Sequence, residues 1–217
     1  MIGRPFAGGR RHRFSTSRSA RFCHRLVASL RDLGRYTVGG GGLLRLFVAL
    51  LLPERWAHEV DRWRCEHLAG SGLRFVPAEN LHLTLAFLGR REPGEIDLLR
   101  ELLDGVAASI QRPVLVPAGY RETGRVAMLV LDDEDGRAAA LQAAIAAKLA
   151  ARSLYRPERR RWLPHVTVAR VRRSRPRRTP PVQLVPAASP SEIALYSSTL
   201  RPTGAQYKAL HTAELCG

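Results

Sequence analysis

Two short stretches, His82-Leu83-Thr84-Leu85 and His165-Val166-Thr167-Val168, repeat one pattern of histidine, apolar residue, threonine, apolar residue. Side chains of a β-strand alternate between its faces, so in each stretch the histidine and threonine share one face and the apolar pair shares the other. The apolar face packs and the polar face is presented. Chance accounts readily for one such string in a chain with seven histidines. It accounts poorly for two in matching surroundings.

Those surroundings do match, as an internal duplication requires. An apolar, strand-like run from Leu44 to Leu52 precedes a helical stretch from about Glu54 to Ala69, which leads through Phe75-Val76-Pro77 to His82. A second run, Arg125 to Leu131, precedes an Ala-rich helical stretch from about Gly136 to Arg152, which leads through Trp162-Leu163-Pro164 to His165. The offset is about 81 residues for the first strands (125 minus 44) and 83 for the histidines (165 minus 82). Two lobes of similar build are expected, related by a pseudo-two-fold axis, with one His-Thr pair from each facing a shared cleft.

Histidine titrates near neutral pH, with an ordinary pKa of about 6.5. Two of them on opposite sides of a substrate can act as base and acid in one displacement. The threonine hydroxyls can donate to non-bridging phosphate oxygens as charge moves in the transition state. The set suits phosphodiester hydrolysis without a metal.

With these motifs the chain resembles the 2H (two-histidine) phosphoesterases, and within them the bacterial RNA 2′,3′-cyclic phosphodiesterases, also called 2′-5′ RNA ligase-like proteins. The resemblance runs from Leu44 onward through RLFVALLLP at the first strand, RFVPAENLHLTLAFLG, RRWLPHVTVARV, and EIALYSSTLRPTGAQYKAL near the C-terminus. It implies an α+β, bilobal fold of two pseudo-symmetric lobes, each with an antiparallel sheet and helices, and an active cleft between them. It also implies hydrolysis of RNA 2′,3′-cyclic phosphate ends to 2′-phosphomonoesters. By that analogy His82 is the proton donor to the departing 3′ oxygen and His165 the proton acceptor from water; the residues themselves do not say which is which. Thr84 and Thr167 bind the phosphate, and neither metal nor organic cofactor is expected. Relatives that join RNA ends or open small cyclic nucleotides leave both as alternative readings. A non-catalytic RNA-binding module is the reading outside the enzyme class, and the intact His-Thr pairs count against it.

Phe75 and Trp162 each precede a motif and are candidates for stacking on a terminal base, as aromatic side chains do with unstacked nucleotides; core packing competes for both. Phe47, in the middle of an apolar run, reads as core. Arg170 has the strand parity of Val166 and Val168, so a phosphate contact from it requires an intervening bulge. His58, Cys65 and His67 stand at spacings that do not gather them on one helix face for a metal. The glycine run 39–42 lacks the lysine and hydroxyl residue of a P-loop and reads as a connector.

The chain has 217 residues, 35 basic against 19 acidic, for a formal net charge of +16. That excess invites a nucleic-acid partner, although only Lys148 and Lys208 are lysine, a skew toward arginine that a GC-rich genome also produces. Residues 1–42 hold nine arginines and one acid, Asp32, and so half of the excess. They read as a basic extension, disordered or a transit peptide, or as an overextended gene start, the reading favoured, with the phosphoesterase domain at 43–217. Arg156 and Arg159 to Arg161 are placed to line the cleft mouth, and Arg172 to Arg178 read as an exposed loop. No apolar stretch approaches the 18 or so residues that span a membrane. Three cysteines without metal spacing fit a reducing compartment, hence a cytoplasmic location. The expected partners are RNA ends or small cyclic-phosphate nucleotides, and the expected assembly is a monomer.

Overall fold

The computed structural model describes residues 42–171, 179–202 and 204–217, all within one compact unit. The basic segment, apart from Gly42, lies outside the described residues, as does the arginine loop 172–178. In chain order the elements are β1 (Leu44–Leu51), α1 (Glu54–Leu68), β2 (Leu73–Phe75), β3 (His82–Arg91), α2 (Ile96–Ala107), β4 (Leu115–Glu122), β5 (Val126–Asp133), α3 (Arg137–Ala151), β6 (His165–Val171), β7 (Glu192–Arg201) and β8 (Gly204–Glu214).

The strands lie in the order β4-β5-β6-β3-β1-β7-β8, with β2 pairing β6, and every pairing is antiparallel. The sheets of the two lobes are thus joined into one, through a single residue pair, Leu83 with Val166. These two residues are 83 positions apart, the offset of the histidines, so the pseudo-two-fold axis passes between them. On one side Leu51 stands opposite His82; on the other Val130 stands opposite His165. The first strands are therefore related by 79 residues (130 minus 51), not about 81. The difference arises because cross-strand pairing fixes the register, whereas composition locates a strand only to within a residue or two.

Burial explains the order. Leu46 to Leu50 of β1 are all buried, as a central strand covered on both faces must be. The helices cross between halves. α1 follows β1 in sequence, yet its Trp63 ring meets Tyr120 of β4 at 6.0 Å and its Arg64 donates to Val168 of β6. α3 follows β5, yet its Gln142 donates to Leu85 of β3. The N-terminus of α3 is closed by the Asp133 carboxylate, which accepts from the amides of Ala138 and Ala139 at 3.1 and 2.7 Å. This satisfies donors that a helix start leaves open. α2, which the repeat comparison did not locate, buries Ile96, Leu99, Leu103 and Val106 at helical spacing. The fold is α+β, with two pseudo-symmetric halves meeting at the motif strands.

Candidate active site

The two motif strands meet at Leu83 and Val166, whose side chains are fully buried. Alternation turns His82, Thr84, His165 and Thr167 to the opposite face. Because the strands are antiparallel, His82 and Thr167 flank the central pair at one end, and Thr84 and His165 at the other. Each histidine thus neighbours the other motif's threonine. All four are half-buried.

Each imidazole is oriented in the same way. His82 Nδ1 lies 2.8 Å from the carbonyl of Asn80, and His165 Nδ1 lies 2.8 Å from the carbonyl of Leu163. A carbonyl oxygen only accepts, so Nδ1 carries the hydrogen in both rings. Nε2 is left as the nitrogen that gains or loses a proton. Burial pulls the His82 pKa below its ordinary value; the positive charges of His165 and Arg170 push the same way, and the hydrogen bond to Asn80 opposes. In the empty site His82 is therefore held toward its neutral form.

Arg170 is on this face because a bulge does intervene. In the β5–β6 ladder Met128 opposes Thr167 and Ala127 opposes Ala169, so Val168 is the extra residue. Val168 and Ala169 are both buried and Arg170 is exposed, which is the phase change a bulge imposes. The first motif carries the same bulge: Ala49 opposes Thr84, Val48 opposes Ala86, and Leu85 is the extra residue. The residue related to Arg170 is Phe87, 83 positions earlier and 58% exposed. One half presents a cation at this position and the other an aromatic ring.

Phe87 belongs to an aromatic cluster on the His82 side. Phe47 is 3% exposed, in keeping with a core reading, yet its ring lies 5.0 Å from His82, 6.0 Å from Phe87, 5.2 Å from Tyr196 and 5.0 Å from Tyr207. Tyr207 also meets His82 edge-on at 5.3 Å. Sequence reasoning passed over Phe87 and Tyr207; Phe87 is out of phase with His82 and Thr84 in the sequence, and only the bulge at Leu85 brings it to their face. Trp162 donates its indole N–H to the carbonyl of Thr84 at 3.2 Å, and so spans from one motif's approach to the other motif. Phe75 is half-buried beneath the guanidinium of Arg64, 5.0 Å from its ring centre. Arg156 and Arg159 to Arg161 are exposed in the segment before β6. Among the described residues no group of three or more His, Cys, Asp or Glu is placed to hold a metal ion, and no helix is long and apolar enough to cross a membrane. Cys65 and Cys216 are unpaired; Cys23 lies outside the described residues.

A bilobal sheet with an imidazole-hydroxyl pair from each half on one face defines a two-histidine phosphoesterase. The model of the 2′-5′ RNA ligase superfamily matches residues 52–193, and the chain belongs to that family. It is similar to the RNA 2′,3′-cyclic phosphodiesterase of Escherichia coli K12, 34% identical over 131 residues that make up 58% of this chain and 71% of that protein. It is also similar to the protein of the same name from Methanocaldococcus jannaschii, 27% identical over 179 residues, 77% of this chain and 98% of that one. Among solved structures, Escherichia coli LigT complexed with 3′-AMP superposes with a TM-score of 0.66 at 27% identity, covering 81% of this chain and 99% of that chain. A protein of Thermus thermophilus, TT0787, superposes with a TM-score of 0.69 at 28% identity, covering 79% of this chain and 98% of that one.

Proposed function

We propose that the protein hydrolyses 2′,3′-cyclic phosphate ends of RNA to 2′-phosphomonoesters by paired-histidine acid-base catalysis, without a metal ion. The observation that carries this reading is the matched orientation of the two imidazoles, each with Nδ1 held by the carbonyl two residues upstream and Nε2 left for proton transfer. The names of the relatives from Escherichia coli and Methanocaldococcus jannaschii support the substrate, and the 3′-AMP complex of LigT supports nucleotide binding in this fold.

In the proposed reaction water attacks phosphorus on the side of His165, whose Nε2 takes the water proton as the new P–O bond forms. The P–O3′ bond breaks, and His82 Nε2 gives its proton to the departing O3′, leaving the phosphate on O2′. The hydroxyls of Thr84 and Thr167, one beside each histidine, donate to the non-bridging oxygens, and Arg170 adds a positive charge to the same face. Burial favours neutral His82 in the empty site, and an arriving phosphate anion favours its charged form. Bound substrate thereby favours uptake of a proton from solvent by the group that acts as acid. The exposed face of Phe87 suits stacking by the terminal base; Trp162, beside Thr84, is a further stacking position, whereas Phe75, paired with buried Ala169 and packed against the core, is turned to the other face.

The test is an assay with EDTA-treated protein on an RNA oligonucleotide ending in a 2′,3′-cyclic phosphate, resolving 2′- from 3′-phosphate products. A 2′-phosphate product lost in both His82→Ala and His165→Ala supports the reading. Joined strands would favour ligation, turnover confined to small cyclic nucleotides would favour that phosphodiesterase, and RNA affinity without turnover would favour a binding module.

A further inference from the structure

Beside His82 lies a groove of about 410 Å³ that the proposed hydrolysis does not use. One wall is the turn Glu79–Asn80 that leads into the first motif; the other is the β7–β8 hairpin, with Thr199, Gln206, Tyr207 and Lys208. Two of these residues also touch His82: the Asn80 carbonyl holds its Nδ1, and the Tyr207 ring packs against it edge-on. The groove therefore begins where the catalytic face ends.

Its lining is polar. A carboxylate, two amides, the hydroxyls of Ser197 and Thr199 and an ammonium face a space bounded by one aromatic ring, a set that recognises base edges, ribose hydroxyls and phosphate by hydrogen bonds. Lys208 is one of only two lysines in the chain. Further toward the hairpin tip the guanidinium of Arg74 reaches Gly204, so close that a Cβ there would stand 3.0 Å from its Nη2. A second cation thus lies near the tip of the hairpin that carries Lys208, in keeping with a track for a phosphodiester backbone.

We infer that this groove binds the nucleotide preceding the cyclic end, which makes the preferred substrate an RNA strand of two or more nucleotides instead of a mononucleoside cyclic phosphate. The inference rests on the cyclic phosphodiesterase reading and names its substrate class. A strand emerging on the His82 side lays its next phosphate toward Lys208 and its next base edge against Glu79 and Gln206.

The experiment compares kcat/KM for a mononucleoside 2′,3′-cyclic phosphate with that for a dinucleotide ending in the same cyclic phosphate, in the unmutated protein, Lys208→Ala and Gln206→Ala. The expected preference for the dinucleotide is about tenfold or more, the scale of one hydrogen bond to a charged group. It should fall severalfold in Lys208→Ala, with the salt dependence of dinucleotide kcat/KM weakened by about 0.7 in log-log slope, the release expected from one phosphate contact on a single strand. Equal kcat/KM for both substrates, or a preference unchanged in both variants, overturns the groove assignment while leaving the phosphodiesterase reading intact. No turnover of either substrate by the unmutated protein instead overturns the reading on which the groove rests.

Discussion

The guanidinium of Arg64 donates to the carbonyl of Val168 at 3.0 Å, and Val168 is the extra residue of the bulge that follows the second motif. Arg64 is 3% exposed. It also bonds the carbonyl of Val76 and the carboxylate of Asp61. The other half repeats the device, since Gln142 Nε2 donates to the carbonyl of Leu85, the extra residue of the first bulge, at 3.3 Å. In each half a helix from the opposite repeat donates to the carbonyl of the residue that bulges, and at Val168 that carbonyl also accepts from the amide of Val76 at 3.0 Å.

Arg64 is therefore placed to position Arg170, which owes its place on the face of the two His-Thr pairs to that bulge. Arg64→Leu removes a side-chain donor from two carbonyls, of which that of Val168 keeps the Val76 amide, and leaves Asp61 without its partner; it should destabilise the protein by about 2 kcal/mol. It should also lower kcat beyond what folding explains when measured well below the melting transition. Arg64→Lys restores the charge but not the forked geometry, and should recover stability better than kcat. Equal recovery of both would limit Arg64 to a structural role.

Single substitutions His82→Ala and His165→Ala should each reduce turnover by roughly 10² to 10⁴ on an ordinary cyclic phosphate, the scale of a positioned proton-transfer group. A substrate with sulfur in place of O3′ separates the two roles, because a thiolate leaves without protonation. If His82 is the donor, that substrate rescues His82→Ala and leaves His165→Ala slow. Rescue of His165→Ala alone would exchange the assignments.

Thr84→Val and Thr167→Val keep shape and remove one hydroxyl. Each is half-buried on the polar face, so stability should change by about 1 kcal/mol or less, within the range of a single net hydrogen bond. The rate should fall by about 10² if the hydroxyl donates to the phosphoryl oxygens in the transition state. Matched kinetics and thermal melts check the split; a loss confined to stability would remove the threonines from the chemistry.

His82 should titrate below its ordinary value of about 6.5 in the empty protein, by histidine NMR, because burial and the charges of His165 and Arg170 disfavour its imidazolium. Arg170→Met removes one of those charges and should raise the midpoint; inorganic phosphate in the site should raise it further. The sign also sets a stability effect. As pH falls through about 6.5 the unfolded chain takes up a proton that folded His82 resists, so this residue costs stability on acidification. A midpoint above the ordinary histidine value without ligand would contradict the burial of His82.

Much of this architecture was legible in the chain. The His-x-Thr repeats, the apolar runs before them and the Ala-rich helix carry strand and helix periods in their composition, so α1, β1, β5 and α3 could be drawn within a residue or two and both motif strands located at their starts, although they run on to Arg91 and Val171. α2 was equally legible from its stripe of Ile96, Leu99, Leu103 and Val106, but it falls outside the repeated segments that guided the comparison. Local pattern also placed each histidine and threonine on a common face, since alternation is a property of the strand itself.

What only the tertiary structure decided is everything that depends on one strand's partner. A bulge is defined by the residue across the ladder, so the phase change at Leu85 and Val168 was invisible, and with it the placement of Arg170 and Phe87. The joining of two sheets at Leu83 and Val166, the crossing of α1 and α3 to opposite halves, and the gathering of Phe47 and Tyr207 around His82, with Tyr196 stacked on Phe47, are contacts between distant segments. Sequence by itself determined the repeated local units, because hydrogen-bonding period and side-chain polarity act over a few residues; their packing determined which side chains share a site.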